Sequence, residues 1–156
     1  MDRIEKLHIR WMIRRDLIEV SDIEQSAFEF PWAEKDFVIC LCRRNCIGMV
    51  AELGGRVVGF TVYELFARRI HVLNFAVSLD HRRKGVGSEM AKKLIGKLES
   101  QRRTRLSLEV RETNLAAQMF FSSHGFRATS VLRDFYDDVS EDAYLMQYTL
   151  REPCEV

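Results

Sequence analysis

The sequence predicts an α/β fold built on a mixed, mostly antiparallel central sheet of about seven strands flanked by about four helices. Three observations carry this. Apolar patterning alternates in the order strand, helix, helix, three strands, helix, strand, helix, two strands. Gly54-Gly55 separates two apolar runs, as an antiparallel hairpin requires. A strand, a basic glycine-containing loop, an amphipathic helix and another strand follow in the middle of the chain, which is the order of a parallel crossover.

Ile9 to Ile13 reads as the first strand. Leu17, Val20, Ile23 and Ala27 recur at helical spacing, with Asp16 or Ser21-Asp22 as caps. Phe28-Glu29-Phe30-Pro31-Trp32 interrupts that pattern, and Pro31 suits the first turn of a second helix whose apolar side is Phe37, Val38 and Leu41. Gly48 to Leu53 and Arg56 to Leu65 form the hairpin, and Ile70 to Val77 is the next strand. Met90, Ala91, Leu94, Ile95 and Leu98 then lie on one helical face, with Lys92, Lys93 and Lys97 opposite. Arg105 to Val110 is a strand, Leu115 to Ser123 a helix ended by Gly125 at C′, and Arg127 to Arg133 and Tyr144 to Leu150 are strands joined by an acidic connection.

The most informative string is Arg82-Arg83-Lys84-Gly85-Val86-Gly87-Ser88, between a strand and a helix. Glycines allow a tight turn and close backbone approach, and the first N–H groups of a helix lack intrahelical acceptors and carry the positive end of its dipole. With three consecutive cations beside them, this is an anion site. It is not a P-loop, which needs Gly, four residues and Gly-Lys-Ser/Thr, nor a dinucleotide fingerprint, since Ser88-Glu89-Met90 supplies no third glycine. What remains is a pyrophosphate loop with R-x-x-G-x-G spacing.

At 156 residues the chain buries one sizeable core, so a single domain over residues 1–156 is expected. A net charge of +1, from 24 basic and 23 acidic side chains, speaks against a nucleic-acid polyelectrolyte. The first residues alternate charges without an apolar core, and no apolar run is long enough to span a bilayer, so a soluble cytoplasmic protein is expected, with no membrane partner. Cys40, Cys42, Cys46 and Cys154 read as reduced thiols, and no metal is expected. The sequence sets no oligomeric state.

The second informative string is Leu106-Ser107-Leu108-Glu109-Val110-Arg111-Glu112-Thr113-Asn114. Glu109 interrupts an apolar strand, where an ionised side chain is costly unless paired or set in a polar cleft. It reads either as the polar face of an alternating strand or as a general base.

The Arg82 to Gly87 loop resembles the acetyl-coenzyme A loop of the GNAT N-acetyltransferase superfamily. Glu109-Val110-Arg111, Asn114, Ala116, Ala117 and Gly125-Phe126, with Phe28-Glu29-Phe30-Pro31-Trp32 and Glu141-Asp142-Ala143 with Met146, are similar to the RimI-like family, the ribosomal-protein-alanine N-acetyltransferases. The resemblance implies the GNAT fold, with the sheet splayed at a cleft for acetyl-coenzyme A between the strands ending at Val77 and Val110. It implies that Glu109 accepts the proton of the attacking amine and that Phe75, Ala76 and Val77 bind the acetyl and pantetheine portion. Arg82, Arg83, Lys84, Gly85, Val86, Gly87 and Ser88 would hold the pyrophosphate, and Asn114 and Phe121 would meet the cofactor, although Asn114 also suits an ordinary N-cap.

One departure stands out. The family pattern has a tyrosine that protonates the leaving thiolate where this chain has Phe121, beside Phe120. Tyr136 is a substitute, as is water, and Tyr136 otherwise lines the acceptor site or packs at a strand end. Phe28 and Trp32 wall an amino-terminal peptide pocket or cover the core. Asp134, Asp137, Asp138, Glu141 and Asp142 attract a cationic peptide or form a solvated connection. By resemblance the acceptor is a protein N-terminal α-amine, such as the N-terminal alanine of a small-subunit ribosomal protein. The alternatives are a lysine or small amine, or an acetyl-coenzyme A sensor without turnover. His8, His71, His81 and His124 share no spacing that assigns them a role.

Overall fold

The computed structural model describes residues 6–136 and 141–150; Asp137, Asp138 and Cys154 lie outside the described residues. The strands are β1 (His8–Trp11), β2 (Cys46–Leu53), β3 (Arg56–Leu65), β4 (Arg69–Val77), β5 (Arg105–Arg111), β6 (Arg127–Tyr136) and β7 (Glu141–Thr149). The helices are α1 (Leu17–Ala27), α2 (Glu34–Leu41), α3 (Val86–Ser100) and α4 (Leu115–Ser123), with short 3-10 turns at Arg14–Asp16 and Leu79–His81. The hydrogen-bonded strand order is β1-β2-β3-β4-β5-β7-β6. β1–β2, β2–β3, β5–β7 and β6–β7 run antiparallel, and β4–β5 runs parallel with Arg69 opposite Arg105 and His71 opposite Ser107. The mixed sheet with four helices is the predicted architecture.

Backbone contacts divide the chain into two compact units, Met1–Leu65 with Leu73–Met90, and Phe66–Val72 with Ala91–Val156. In the first, Leu17, Val20, Ile23, Phe37, Phe60, Val62 and Ala76 form one core cluster, and Ala51, Val58, Val86 and Met90 form another. Gly54 and Gly55 both take positive φ, 59° and 78°, which is what the tight β2–β3 turn demands and what glycine adopts without a Cβ penalty. The core of the second unit holds Ile70, Leu94, Leu98, Leu106, Leu108, Phe121, Phe126 and Met146. There the rings of Phe121 and Phe126 meet edge to face at 5.2 Å.

Several element boundaries differ from the sequence-based expectation. Pro31 does not open α2. The Trp32 N–H is taken by Glu24 at 2.9 Å and the Ala33 N–H by Asp36 at 2.8 Å, so Ala33 stays extended and the helix begins at Glu34. The last hairpin is longer than expected, and Glu141 and Asp142 belong to β7 rather than to the connection. Glu141 accepts hydrogen bonds from Thr113 and pairs with Arg111 at 3.0 Å, while Asp142 pairs with Arg133 and accepts from the Asp134 N–H. These two carboxylates serve internal contacts.

β1 is tied to the turn before α1 by a buried carboxylate. Asp16, 3 % exposed, accepts two hydrogen bonds from the Arg10 guanidinium at 2.8 and 2.9 Å and one from the Ile13 N–H, while Arg10 also pairs with Glu52. The Arg10 hydrogen bonds hold the Asp16 carboxyl below the usual carboxylate range, against the opposing effect of burial. A lowered folded-state pKa gives stabilisation that is full above the ordinary carboxylate range and lost as pH falls through the folded value. Asp16→Asn is therefore expected to lower stability by about 1–3 kcal/mol at neutral pH. Urea melts of both proteins should converge as pH drops below about 4.

Candidate active site

In the first unit, β4 delivers Phe75, Ala76 and Val77 with alternating orientation. Phe75 and Val77 pack on the cluster containing Val86 and Met90, and Ala76 on the cluster formed with α1 and α2. After Val77 the chain turns through Leu79–His81, and Arg82 folds back so that its Nε donates to the Val77 carbonyl at 3.3 Å. Arg82, Arg83 and Lys84 are all exposed.

The loop reverses direction at Arg83 (φ 62°) and Gly85 (φ 86°), and α3 opens at Val86. Only one of the two glycines does the turning: Gly85 occupies the left-handed region, whereas Gly87 lies in the first turn of the helix. A Cβ added at Gly85 would meet nothing within 4 Å, so the space beside it is open. Three exposed cations, a left-handed glycine and the N-terminus of a 15-residue helix together fit a pyrophosphate. Gly59 on β3 completes this region. A Cβ there would lie 2.8 Å from the Met90 sulfur and 3.2 Å from the Ala76 carbonyl oxygen, so glycine is what lets the first turns of α3 and β4 approach β3.

The segment Phe28 to Trp32 is tied to β4 through a buried carboxylate. Glu24, 1 % exposed, accepts the Trp32 N–H at 2.9 Å and the Asn74 side-chain amide at 2.9 Å on both oxygens. Thr61 donates to the Asn74 carbonyl at 2.8 Å. Burial raises the Glu24 pKa and the Trp32 and Asn74 hydrogen bonds oppose that rise. Trp32 and Phe28 are both partly buried against the core, Trp32 with its ring 5.1 Å from that of Phe37. Both aromatics cover the core of the first unit.

In the second unit, Glu109 sits on β5 with its side chain 22 % exposed. Its Oε2 lies 2.9 Å from His71 Nε2, and His71 Nδ1 lies 2.6 Å from the Ser107 hydroxyl. The parallel β4–β5 register sets His71 beside Ser107, and Glu109 follows two residues on along the same face. Sequence reasoning passed over His71 because its partners are 36 and 38 residues away, across α3. The available signal was a histidine at an alternating position of a largely apolar strand.

Asn114 is the N-cap of α4, its Oδ1 accepting from the Ala117 N–H at 3.1 Å. Phe121 is 6 % exposed and meets Phe120 and Phe126 edge to face, so this side chain belongs to the core of its unit. Tyr136 ends β6 beneath the Arg111 guanidinium, 3.8 Å from its ring centroid, and Arg111 is itself anchored by Glu141. The Thr113 hydrogen bond, aided by Arg111, keeps the Glu141 carboxyl below its usual range. Arg111, Tyr136 and Glu141 are thus brought together where β5 and β6 end and β7 begins.

Residues 17–126 match the model of the acetyltransferase (GNAT) family. The chain belongs to that family. It is 33 % identical over 133 residues to the ribosomal protein bS18-alanine N-acetyltransferase of Escherichia coli, spanning 84 % of this chain and 89 % of the relative. The crystal structure of the ribosomal-protein-S18-alanine N-acetyltransferase from Escherichia coli superposes with a TM-score of 0.85 at 30 % identity, covering 96 % and 97 % of the two chains. That of Ard1 from Thermoplasma volcanium superposes with a TM-score of 0.85 at 29 % identity, covering 94 % and 99 %. The chain is an acetyl-coenzyme A-dependent N-acetyltransferase with the GNAT fold.

The Glu24 clamp has a measurable consequence. Glu24→Ala leaves the Trp32 N–H and the Asn74 amide buried without their acceptor, at a cost of about 2–4 kcal/mol. Denaturant unfolding followed by tryptophan emission should show this loss, and a loss below about 0.5 kcal/mol, the scale of an ordinary surface change, would mean that the loop is held by other contacts.

Proposed function

We propose that this acetyltransferase modifies the α-amine of a protein N-terminus, by direct attack on acetyl-coenzyme A, with Glu109 as the general base. The observation that carries the reading is a carboxylate only 22 % exposed and held on an imidazole, on the polar face of the central strand β5. Such a placement is costly as mere surface polarity and useful as a proton acceptor. The names of the Escherichia coli relatives support the acceptor class, an N-terminal alanine of a ribosomal protein. An α-ammonium, with a pKa of about 8 against about 10.4 for lysine, is also the easier of the two to deprotonate. The reading takes the chain as one acetyltransferase domain.

Acetyl-coenzyme A supplies the thioester. In the first unit, Arg82, Arg83 and Lys84 neutralise the pyrophosphate while the N–H groups at Val86, Gly87 and Ser88 face it, and Gly85 allows the backbone to approach. The β4 backbone at Phe75, Ala76 and Val77 orients the acetyl and pantetheine portion, one strand amide serving as oxyanion donor. Phe28 and Trp32 line the acceptor side of the same unit, held by Glu24.

In the second unit, Glu109 collects one proton from the ammonium. The freed amine then forms the C–N bond as the C–S bond breaks, and the second proton leaves nitrogen to end on sulfur. Asn114, at the start of α4, contributes to cofactor binding through its exposed edge. Phe121 contributes by shaping the core beneath that helix, since phenylalanine donates no proton. Tyr136, oriented by Arg111, is the side chain available to protonate the thiolate or to contact the acceptor. A thiolate of pKa about 8.5 leaves without obligatory help, so turnover does not require a tyrosine at position 121.

The test is intact-mass detection of acetyl transfer to two peptides, one with a free N-terminal alanine and no lysine, the other N-terminally blocked with free lysines. Transfer to the first alone is expected. Transfer to the blocked peptide alone would replace the α-amine by lysine as the acceptor, and no transfer to either with cofactor bound would favour a small-amine acceptor or a sensor.

A further inference from the structure

Residues 66–69 and 102–105, both in the second unit, carry five arginines: Arg68, Arg69, Arg102, Arg103 and Arg105. The turn before β4 and the turn after α3 lie side by side. The Thr104 N–H donates to the Arg68 carbonyl at 2.8 Å, the Arg103 Nε donates to the Phe66 carbonyl at 2.7 Å, and Arg69 stands opposite Arg105 in the parallel ladder. Arg68, Arg102 and Arg105 are exposed, and Arg69 and Arg103 are partly so.

Other arginines of the chain meet carboxylates, Arg10 with Asp16 and Glu52, Arg111 with Glu141, and Arg133 with Asp142. Among the described residues, no carboxylate forms an ion pair with any of the five. Cations suit the C-terminal end of a helix, which accounts for Arg102 and Arg103 after α3. It does not account for Arg68, Arg69 and Arg105, which stand at or just before the starts of β4 and β5. Like charges so placed repel one another, and a polyanion from outside relieves that repulsion.

Two features select the polyanion. Every cation of the cluster is a guanidinium, whose planar fork matches phosphate oxygens in pairs. Phe66, 37 % exposed, lies among them with the Arg69 guanidinium 4.6 Å from its ring centroid. An exposed ring beside guanidinium groups is a platform on which an unpaired base stacks, whereas an acidic peptide has no group that requires it. Thr149, opposite Arg105 on β7, also lines a groove of about 1010 Å³ with Arg127, Gln147 and Tyr148, so a polar groove with a sixth arginine adjoins the cluster.

We propose that this arginine cluster binds a single-stranded nucleic acid, with phosphates on the guanidinium groups and a base on Phe66. The net charge of +1 conceals the site because the excess is local. The inference is independent of the acceptor and of the base: Arg105 precedes Glu109 by four residues, about 13 Å along β5.

The test is fluorescence anisotropy of a labelled single strand of about 12 nucleotides, as RNA and as DNA, with the full chain and saturating acetyl-coenzyme A. Binding of either strand supports the proposal, and the comparison shows which sugar is preferred. With three to five phosphates neutralised, raising salt from about 50 to about 200 mM should weaken binding about 20- to 130-fold. The Arg68→Gln/Arg102→Gln/Arg105→Gln variant should flatten the log–log salt slope by about 2, while its kcat on a short acceptor peptide stays unchanged and shows that it is folded. Arg14→Gln/Arg43→Gln/Arg44→Gln, an equal loss of charge from exposed residues of the first unit, should leave the slope as it is. Phe66→Leu should weaken binding about 5-fold or more, and Phe66→Tyr should preserve it.

An unchanged salt slope in the Arg68/Arg102/Arg105 variant would overturn the proposal. So would loss of binding on addition of acetyl-coenzyme A, which would move the polyanion to the Arg82 to Lys84 loop. Equal affinity for a polyglutamate peptide would replace the nucleic acid by an acidic protein surface, and no binding of either strand at about 50 mM salt would leave the cluster without this partner.

Discussion

The short parallel ladder between β4 and β5 is the constraint on which the proposed chemistry depends. Two parallel strands cannot be joined by a tight turn, and α3 supplies the crossover that brings residues 69–71 beside residues 105–107. The register sets His71 opposite Ser107 and, by the two-residue period of a strand, puts Glu109 within reach of the same ring. A slip of one residue would turn Glu109 toward the face now filled by Leu106, Leu108 and Val110. The antiparallel partner β7 holds β5 from the other side, with Glu109 opposite Leu145 and Leu108 opposite Met146. The proposed base is therefore fixed by backbone hydrogen bonds on a central strand.

Polar burial elsewhere follows the same logic of ties between distant segments. Asp16 holds Arg10 and the Ile13 backbone, and Glu24 holds Asn74 of β4 and the Trp32 backbone. Each carboxylate is nearly inaccessible, and each is supplied with donors that offset much of its desolvation. The Glu24 contacts bear on function because both partners stand next to segments given roles in the reaction. Asn74 precedes Phe75, and Trp32 ends the interruption between α1 and α2. A side chain on α1 thus ties the loop proposed to line the acceptor side to the strand proposed to orient the thioester.

What was legible in the sequence was local. The Gly54-Gly55 turn, the amphipathic face of α3, the Asn114 cap and the Gly85 reversal each have a short-range physical cause, and each element appears near its expected place. What was not legible depends on pairing between distant segments. The buried Glu24 cluster joins residues 50 apart, and His71 meets Ser107 across 36 residues. The start of α2 was missed for a related reason. Pro31 is a good first-turn residue, but the Trp32 N–H is captured by Glu24, a partner seven residues before Pro31 that no local rule supplies. The acidic run before Tyr144 was read as one segment, whereas Glu141 and Asp142 are committed to β7 and its neighbours.

The chemistry proposed here needs little from the protein beyond orientation and proton management, since the thioester is already activated. It does require the acceptor nitrogen to meet the Glu109 carboxylate. The most direct measurement is a crystal structure of the chain with a bisubstrate analogue in which coenzyme A is joined through an acetyl bridge to the α-nitrogen of an alanine-initiated peptide. The account predicts that nitrogen within about 2.6–3.2 Å of a Glu109 oxygen, directly or through one water, with His71 still bridging to Ser107. An analogue bound with its nitrogen against another titratable side chain, and with Glu109 turned away from it, would contradict the account.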